Sequence, residues 1–125
     1  MKVTPEQFEK YIIEAIDGLP ENIKKNIDNV AIFAEDYPSP EQRQKLKLQD
    51  NMVLFGLFEG HAQGRHLNFG PILPDKITLF RKYIQEYSIT ESELRQKITS
   101  TLIHEIAHHF GLDELGARIV ASKNT

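Results

Sequence analysis

The chain has 125 residues, and its 15 basic and 18 acidic side chains leave a net charge of −3 at pH 7. This length fits a single domain, so we expect residues 1–125 to form one. The mildly acidic balance, with no cluster of Lys and Arg, argues against nucleic acid and against an anionic membrane surface as partners. The absence of cysteine excludes disulfides and thiolate metal sites. The chain has no long apolar run and no apolar signal segment, so we expect a cytoplasmic protein.

The first segment has the pattern of an amphipathic helix. Thr4 is a suitable N-cap, and Pro5 fits the first helical position. Apolar residues then recur at intervals of three or four from Phe8 to Leu19. Because Pro20 cannot continue a helix, we expect the helix to end just before it.

Three later segments predict the strands of a small sheet. Residues 30–35 (VAIFAE) form a strand-like run that a proline-containing loop closes. Residues 53–58 (VLFGLF) are apolar on both faces, which favours a central position in the sheet. Residues 75–81 (DKITLFR) form the third candidate strand. The charged residues 41–49 fit a helical connection, and residues 60–71 form a loop with three glycines.

The last third of the chain predicts helices. A short helix is expected over residues 82–88, and Thr90 caps a longer one. Apolar residues follow every four positions from residue 94 to residue 110, and Gly111 fits the C-terminal end of that helix. A last short helix is expected over residues 115–121. Helices combined with about three to four strands predict an α+β fold.

The long predicted helix carries the sequence His104-Glu105-Ile106-Ala107-His108, an HExxH pattern. Residues four apart on a helix have Cβ atoms about 5–6 Å apart, so both imidazoles can bind one metal ion at about 2.0–2.1 Å. Glu105 is rotated by about 100° from His104, beside the ion, where it can accept a proton from a metal-activated water. Composition alone would produce this pattern in roughly one such chain in fifty. The pattern therefore predicts a metal centre.

A third ligand is expected after the end of this helix. Gly111 allows the chain to turn, and Glu114 then supplies a carboxylate oxygen. Asp113 is the alternative third ligand, although it also fits the N-cap of the last predicted helix.

The remaining histidines are not expected to bind the ion. His109 lies about 140° from His104 around the helix, so we expect it to support the site or to be structural. His61 and His66 lie in the glycine-rich loop and are expected to be solvated rather than metal ligands.

The residues from 101 to 114 (TLIHEIAHHFGLDE) closely resemble the active-site helix of small single-domain bacterial zincin-like metallopeptidases, whose substrates are unassigned. Residues 73–81, residues 34–38 and the helix over residues 8–20 also resemble this family. The resemblance implies a minimal zincin-like fold, in which a small mixed sheet packs on an N-terminal helix and on the long HExxH helix, and it implies one zinc ion.

The extended motif resembles HExxHxxGxxD, the pattern of the Asp-zincins. This resemblance implies that His104 and His108 are ligands, that Glu105 is the general base and that the chain turns at Gly111. The position of the motif's aspartate falls on Glu114, which has the same charge and one more methylene. The motif therefore leaves open whether Glu114 or Asp113 completes the site.

The sequence thus predicts a zinc-dependent peptidase acting on a peptide or protein substrate. Zinc would lower the pKa of its bound water, and Glu105 would accept the proton and pass it to the leaving amine. An extended peptide would lie along an edge of the sheet, for which we prefer residues 75–81. The alternative is a structural or regulatory metal-binding domain without turnover. Glu105 discriminates between the two, since a structural site has no use for an uncoordinated glutamate.

Overall fold

The computed structural model describes residues 1–60 and 75–110, and it has an α+β fold. This part of the chain contains five helices and three strands. The helices are α1 (Pro5–Asp17), α2 (Glu21–Lys24), α3 (Pro40–Lys45), α4 (Arg81–Glu86) and α5 (Glu91–His109), and the strands are β1 (Val30–Glu35), β2 (Gly56–Glu59) and β3 (Asp75–Phe80). The predicted α+β class is therefore confirmed. The short helix predicted over residues 115–121 lies outside the described residues.

The three strands form one mixed sheet in the order β1-β3-β2. β3 runs parallel to β1, with Ile77 opposite Ile32, and antiparallel to β2, with Ile77 opposite Phe58. The prediction that residues 75–81 offer a free edge for substrate is therefore wrong, because β3 is the central strand. Both of its edges are already hydrogen-bonded to neighbours, so no peptide can add to it.

The prediction of a central strand over residues 53–58 is also wrong. In the described sheet β2 pairs with β3 alone, and it begins only at Gly56. Apolar residues on both faces of a strand indicate what covers the sheet above and below, and not how many strands flank it. Here α5 packs against β2 at Gly56, while Leu57 faces a cleft shared with Leu46 just after α3.

Both long helices begin at the predicted capping residues. The Thr4 side chain accepts a hydrogen bond from the backbone N–H of Gln7, and the Thr90 side chain accepts one from Glu93, each at 3.1 Å. The Glu93 carboxylate accepts from the N–H of Ile89 rather than from that of the cap. These bonds satisfy N–H groups that lack partners within the helix, and so they fix where each helix begins.

The core forms where α5 packs against α1 and the sheet. Four α5 residues at four-residue intervals are 0 % exposed: Leu94, Ile98, Leu102 and Ile106. The core also includes residues on α1, β3 and α4 that are 0 % exposed, among them Phe8, Ile77, Leu79 and Ile84. Burying each such side chain contributes roughly 1.5–3 kcal/mol. Because this face of α5 is anchored, the opposite face is directed to solvent, and His104 and His108 lie on that exposed side. No helix within residues 1–60 and 75–110 could cross a lipid bilayer.

α5 approaches the sheet closely at Gly56. A Cβ atom there would lie 2.5 Å from Cγ2 of Thr101, so a larger residue would force the Thr101 side chain or the two elements to shift. We expect Gly56→Ala to lower the free energy of unfolding by about 1–3 kcal/mol in urea titrations. Gly18→Ala is the matched control, because a Cβ there would meet only ordinary contacts at 3.6 Å or more.

A second substitution tests whether this contact is the cause. Thr101→Ser removes Cγ2, so in the Gly56→Ala background it should recover much of the lost stability. If the two substitutions lower stability additively, the close approach of α5 to β2 does not explain the requirement for glycine.

Candidate metal centre

His104 and His108 lie one turn apart near the C-terminal end of α5. Their ring centroids are 6.1 Å apart and their planes are within 9° of parallel. Two imidazoles that share a tetrahedral zinc ion at about 2.0–2.1 Å have centroids about 5 Å apart. Small side-chain rotations would close this difference, and both side chains are exposed. The pair therefore fits two positions of a zinc site.

Glu105 lies beside this pair, on the side of α5 that faces β2. Its side chain is only 17 % exposed, and its Oε2 is 3.7 Å from Nε2 of His109. Burial raises the pKa of the Glu105 carboxyl to about 7, while the positive charge of His108 lowers it. A group with a pKa near neutrality can both accept and return a proton at physiological pH, as a general base requires.

His109 is held away from the His104–His108 pair. Its ring lies parallel to that of Phe58 on β2, with centroids 4.2 Å apart and planes at 13°. It is nearly perpendicular to the ring of His108. Burial lowers the pKa of His109, as do the charges of His108 and His104, whereas the Asp75 carboxylate raises it. The structure thus places the His109 ring against Phe58 on β2, while 38 % of its side chain stays exposed.

The candidate third ligands Glu114 and Asp113 and the predicted turn at Gly111 lie outside the described residues. The same holds for His61 and His66. Within the described ranges, no group of three or more His, Cys, Asp or Glu side chains could hold a metal ion. A catalytic zinc takes three protein ligands and a structural zinc takes four. A zinc site built on the histidine pair therefore needs ligands from the rest of the chain.

Phe58 and Asp75 belong to the site's surroundings, although the sequence indicated only that they were strand residues. Glu59 pairs with Lys76, so the end of β2 and the start of β3 lie together. This pairing brings Phe58 against His109 and brings the buried Asp75 close enough to act on the charge of His109. No local pattern reveals this arrangement, since it depends on the register of the two strands.

A small cleft runs beside β2. Its volume is about 220 Å³, and its lining includes apolar atoms of Leu46, Leu57 and Phe58 together with the charged side chains of Lys45 and Glu59. Phe58 borders this cleft and also stacks on His109 of α5.

Known proteins resemble this chain in fold and in family. No curated protein sequence matches the chain. Among solved structures, a conserved hypothetical protein (TTHA0227) from Thermo thermophilus has a similar fold, with a TM-score of 0.61 at 22 % identity over 92 % of this chain and 99 % of that chain. A family model described as zincin-like metallopeptidase matches residues 27–121. Since this match covers most of the sequence, the chain belongs to the zincin-like metallopeptidase family.

Proposed function

We propose that the protein is a zinc-dependent peptidase whose ion is held by His104, His108 and Glu114, with Glu105 as the general base. The observation that carries the proposal is the parallel, exposed imidazole pair next to a partly buried carboxyl with a pKa near neutrality. Membership of a metallopeptidase family supports the same chemistry. Asp113 is the alternative to Glu114 as the third ligand.

In this reaction the two histidines would hold the zinc ion, and Glu105 would transfer the protons. A zinc ion bound by the pair would act as a Lewis acid on the scissile carbonyl and would acidify a water molecule. Glu105 would accept the proton of the attacking water and deliver it to the leaving amine. Its partial burial supports both transfers, because desolvation raises the proton affinity of a carboxylate.

The substrate in this proposal is an extended peptide along the outer edge of β2. The central strand β3 has no free edge, whereas β2 lies next to the C-terminal end of α5 through the contact between Phe58 and His109. Strand addition would satisfy the peptide's backbone groups on β2. One substrate side chain would enter the cleft beside Leu57, where apolar walls and the charges of Lys45 and Glu59 would select it.

The test combines metal content with cleavage of a peptide library by protein purified without a His-tag. We expect one zinc ion per chain, cleavage that stops after chelation, and recovery when zinc is restored. X-ray absorption should show three protein ligands and one water oxygen. Full zinc occupancy with four protein ligands and no cleavage would instead identify a structural or regulatory site. Cleavage that survives chelation would indicate a contaminating protease.

A further inference from the structure

We propose that His109, held in place by Phe58, is a positioning residue that fixes the orientation of the Glu105 carboxylate. The proposal rests on the function proposed above, in which Glu105 is the general base. It assigns to His109 a role distinct from that of its neighbour His108.

The contact between the two side chains follows from their spacing on α5. Residues 105 and 109 are four apart, so one lies a turn above the other on the same face. The 3.7 Å between Glu105 Oε2 and His109 Nε2 is an ion-pair distance, and a small rotation of either side chain brings it within hydrogen-bond range. His109 donates from Nε2 when charged and in one neutral tautomer. A donor on Oε2 leaves Oε1 of Glu105 for the attacking water.

The imidazole can orient Glu105 because its own ring is constrained. It stacks on Phe58 at 4.2 Å, and Phe58 in turn meets the edge of Phe110 at 5.7 Å. Phe58 is fixed by the pairing of β2 with β3, where it lies opposite Ile77. One face of the His109 ring is therefore covered by Phe58, although 38 % of the side chain stays exposed.

A partly buried glutamate needs such a restraint to work as a base. The Glu side chain has three rotatable bonds, and a proton transfer requires one oxygen within about 2.6–3.2 Å of its partner. Holding the carboxylate in one rotamer raises the fraction of encounters with productive geometry. A positioning role therefore predicts a loss of kcat without a loss of zinc or of substrate affinity.

The first experiment measures the orientation directly and requires no substrate. Three-bond couplings to Cγ of Glu105, measured by NMR in the metal-free and zinc-loaded protein, report whether its χ1 angle has one rotamer or an average. We expect one rotamer in the wild type and averaged couplings in His109→Leu, which fills the space without a donor. Phe58→Leu should also produce averaging, and His109→Gln, which keeps a donor, should preserve the single rotamer.

The second experiment measures the consequence for turnover on a peptide identified from the library. In zinc-loaded protein, His109→Leu should lower kcat by about tenfold with KM unchanged within about twofold, and His109→Gln should recover most of the activity. Zinc stoichiometry should stay at the wild-type value in both variants. Phe33→Leu is the control for Phe58→Leu, because Phe33 is an exposed ring on the far edge strand, near Lys76, and should change neither kcat nor the couplings.

The two experiments separate this inference from the proposed function. If the zinc-loaded wild type cleaves no peptide, the proposed function fails, and the couplings still decide whether His109 positions Glu105. A single Glu105 rotamer in His109→Leu would overturn the positioning role. Loss of zinc in that variant would overturn it as well, since the histidine would then act on the metal site itself.

Discussion

Replacement of Glu105 by Gln should leave zinc binding intact and reduce peptide hydrolysis by about 10²-fold or more. Glutamine keeps the shape of the side chain but cannot accept the proton of the attacking water. The effect should fall on kcat, because the substrate and the ion keep their contacts. Zinc content by elemental analysis and kcat on a library-derived peptide measure the two parts of this expectation.

Glu105→Asp is the informative companion variant. It retains a base but withdraws it by one methylene, so it should keep more activity than Glu105→Gln and less than the wild type. Cleavage by Glu105→Gln at the wild-type rate would contradict the assignment and would identify another base or a contaminant.

Glu105→Gln should also stabilise the metal-free protein, by an amount that depends on pH. Burial raises the pKa of Glu105 from an ordinary 4.5 to about 7 in the folded protein. A group with a raised folded-state pKa contributes its stability fully below the unfolded pKa and loses it as the pH rises through the folded value. As the pH rises from 4.5 to about 7, the free energy of unfolding of the wild type should therefore fall relative to that of Glu105→Gln, by up to about 3 kcal/mol. Urea unfolding of both proteins at about pH 4 and pH 8 measures the difference.

The residues proposed to carry this chemistry could be identified from the sequence because their arrangement is a property of one helix. The spacing of His104 and His108 places both rings on one face whatever the rest of the fold does. The capping residue Thr90 and the apolar positions at four-residue intervals predicted the start of α5 and its buried side. The structure then shows that the two histidines lie on the exposed side of α5.

The surroundings of the helix could not be predicted in the same way. Phe58 reaches His109 only because β2 pairs antiparallel with β3 at a particular register, and that register is a tertiary property. The order of the strands was mispredicted for a related reason. One face of β2 meets α5 at Gly56 and the other borders the cleft at Leu57, so residues 53–58 are apolar on both faces, and this pattern contains no information about the edge at which β2 lies.

The properties of Glu105 depend both on the local sequence spacing and on tertiary packing. Its place beside the histidine pair follows from the sequence spacing alone, whereas its burial depends on how closely β2 approaches α5. The two elements come close at Gly56, where a Cβ atom would lie 2.5 Å from Cγ2 of Thr101, one turn before Glu105 on α5. The raised pKa of Glu105 is therefore a consequence of packing between the sheet and the helix. A substitution at Gly56 should change the chemistry of the site as well as the stability of the fold.

The largest effects on zinc affinity are expected from His104→Ala and His108→Ala. Each would remove a proposed ligand outright, so each should lower zinc affinity by more than the roughly 10–100-fold that loss of an outer partner of a metal ligand costs. Competitive titration with a chelator measures the dissociation constants, and elemental analysis of the purified variants gives their occupancy. Nickel or cobalt can replace zinc in recombinant protein, because nitrogen and oxygen ligands select weakly among these ions. Zinc content equal to the wild type in both variants would place the metal elsewhere.

The same titration decides the third ligand. α5 ends at His109, so the chain leaves the helix directly after the His104–His108 pair. A turn at Gly111 would then direct residue 114 back towards the ion. Glu114 occupies that position, and its extra methylene can be absorbed by a small adjustment of the turn. Asp113 is one methylene shorter and fits a helix cap, where its carboxylate would bind backbone N–H groups. We therefore expect Glu114→Ala to weaken zinc binding far more than Asp113→Ala, and the reverse ranking would transfer the third ligand to Asp113.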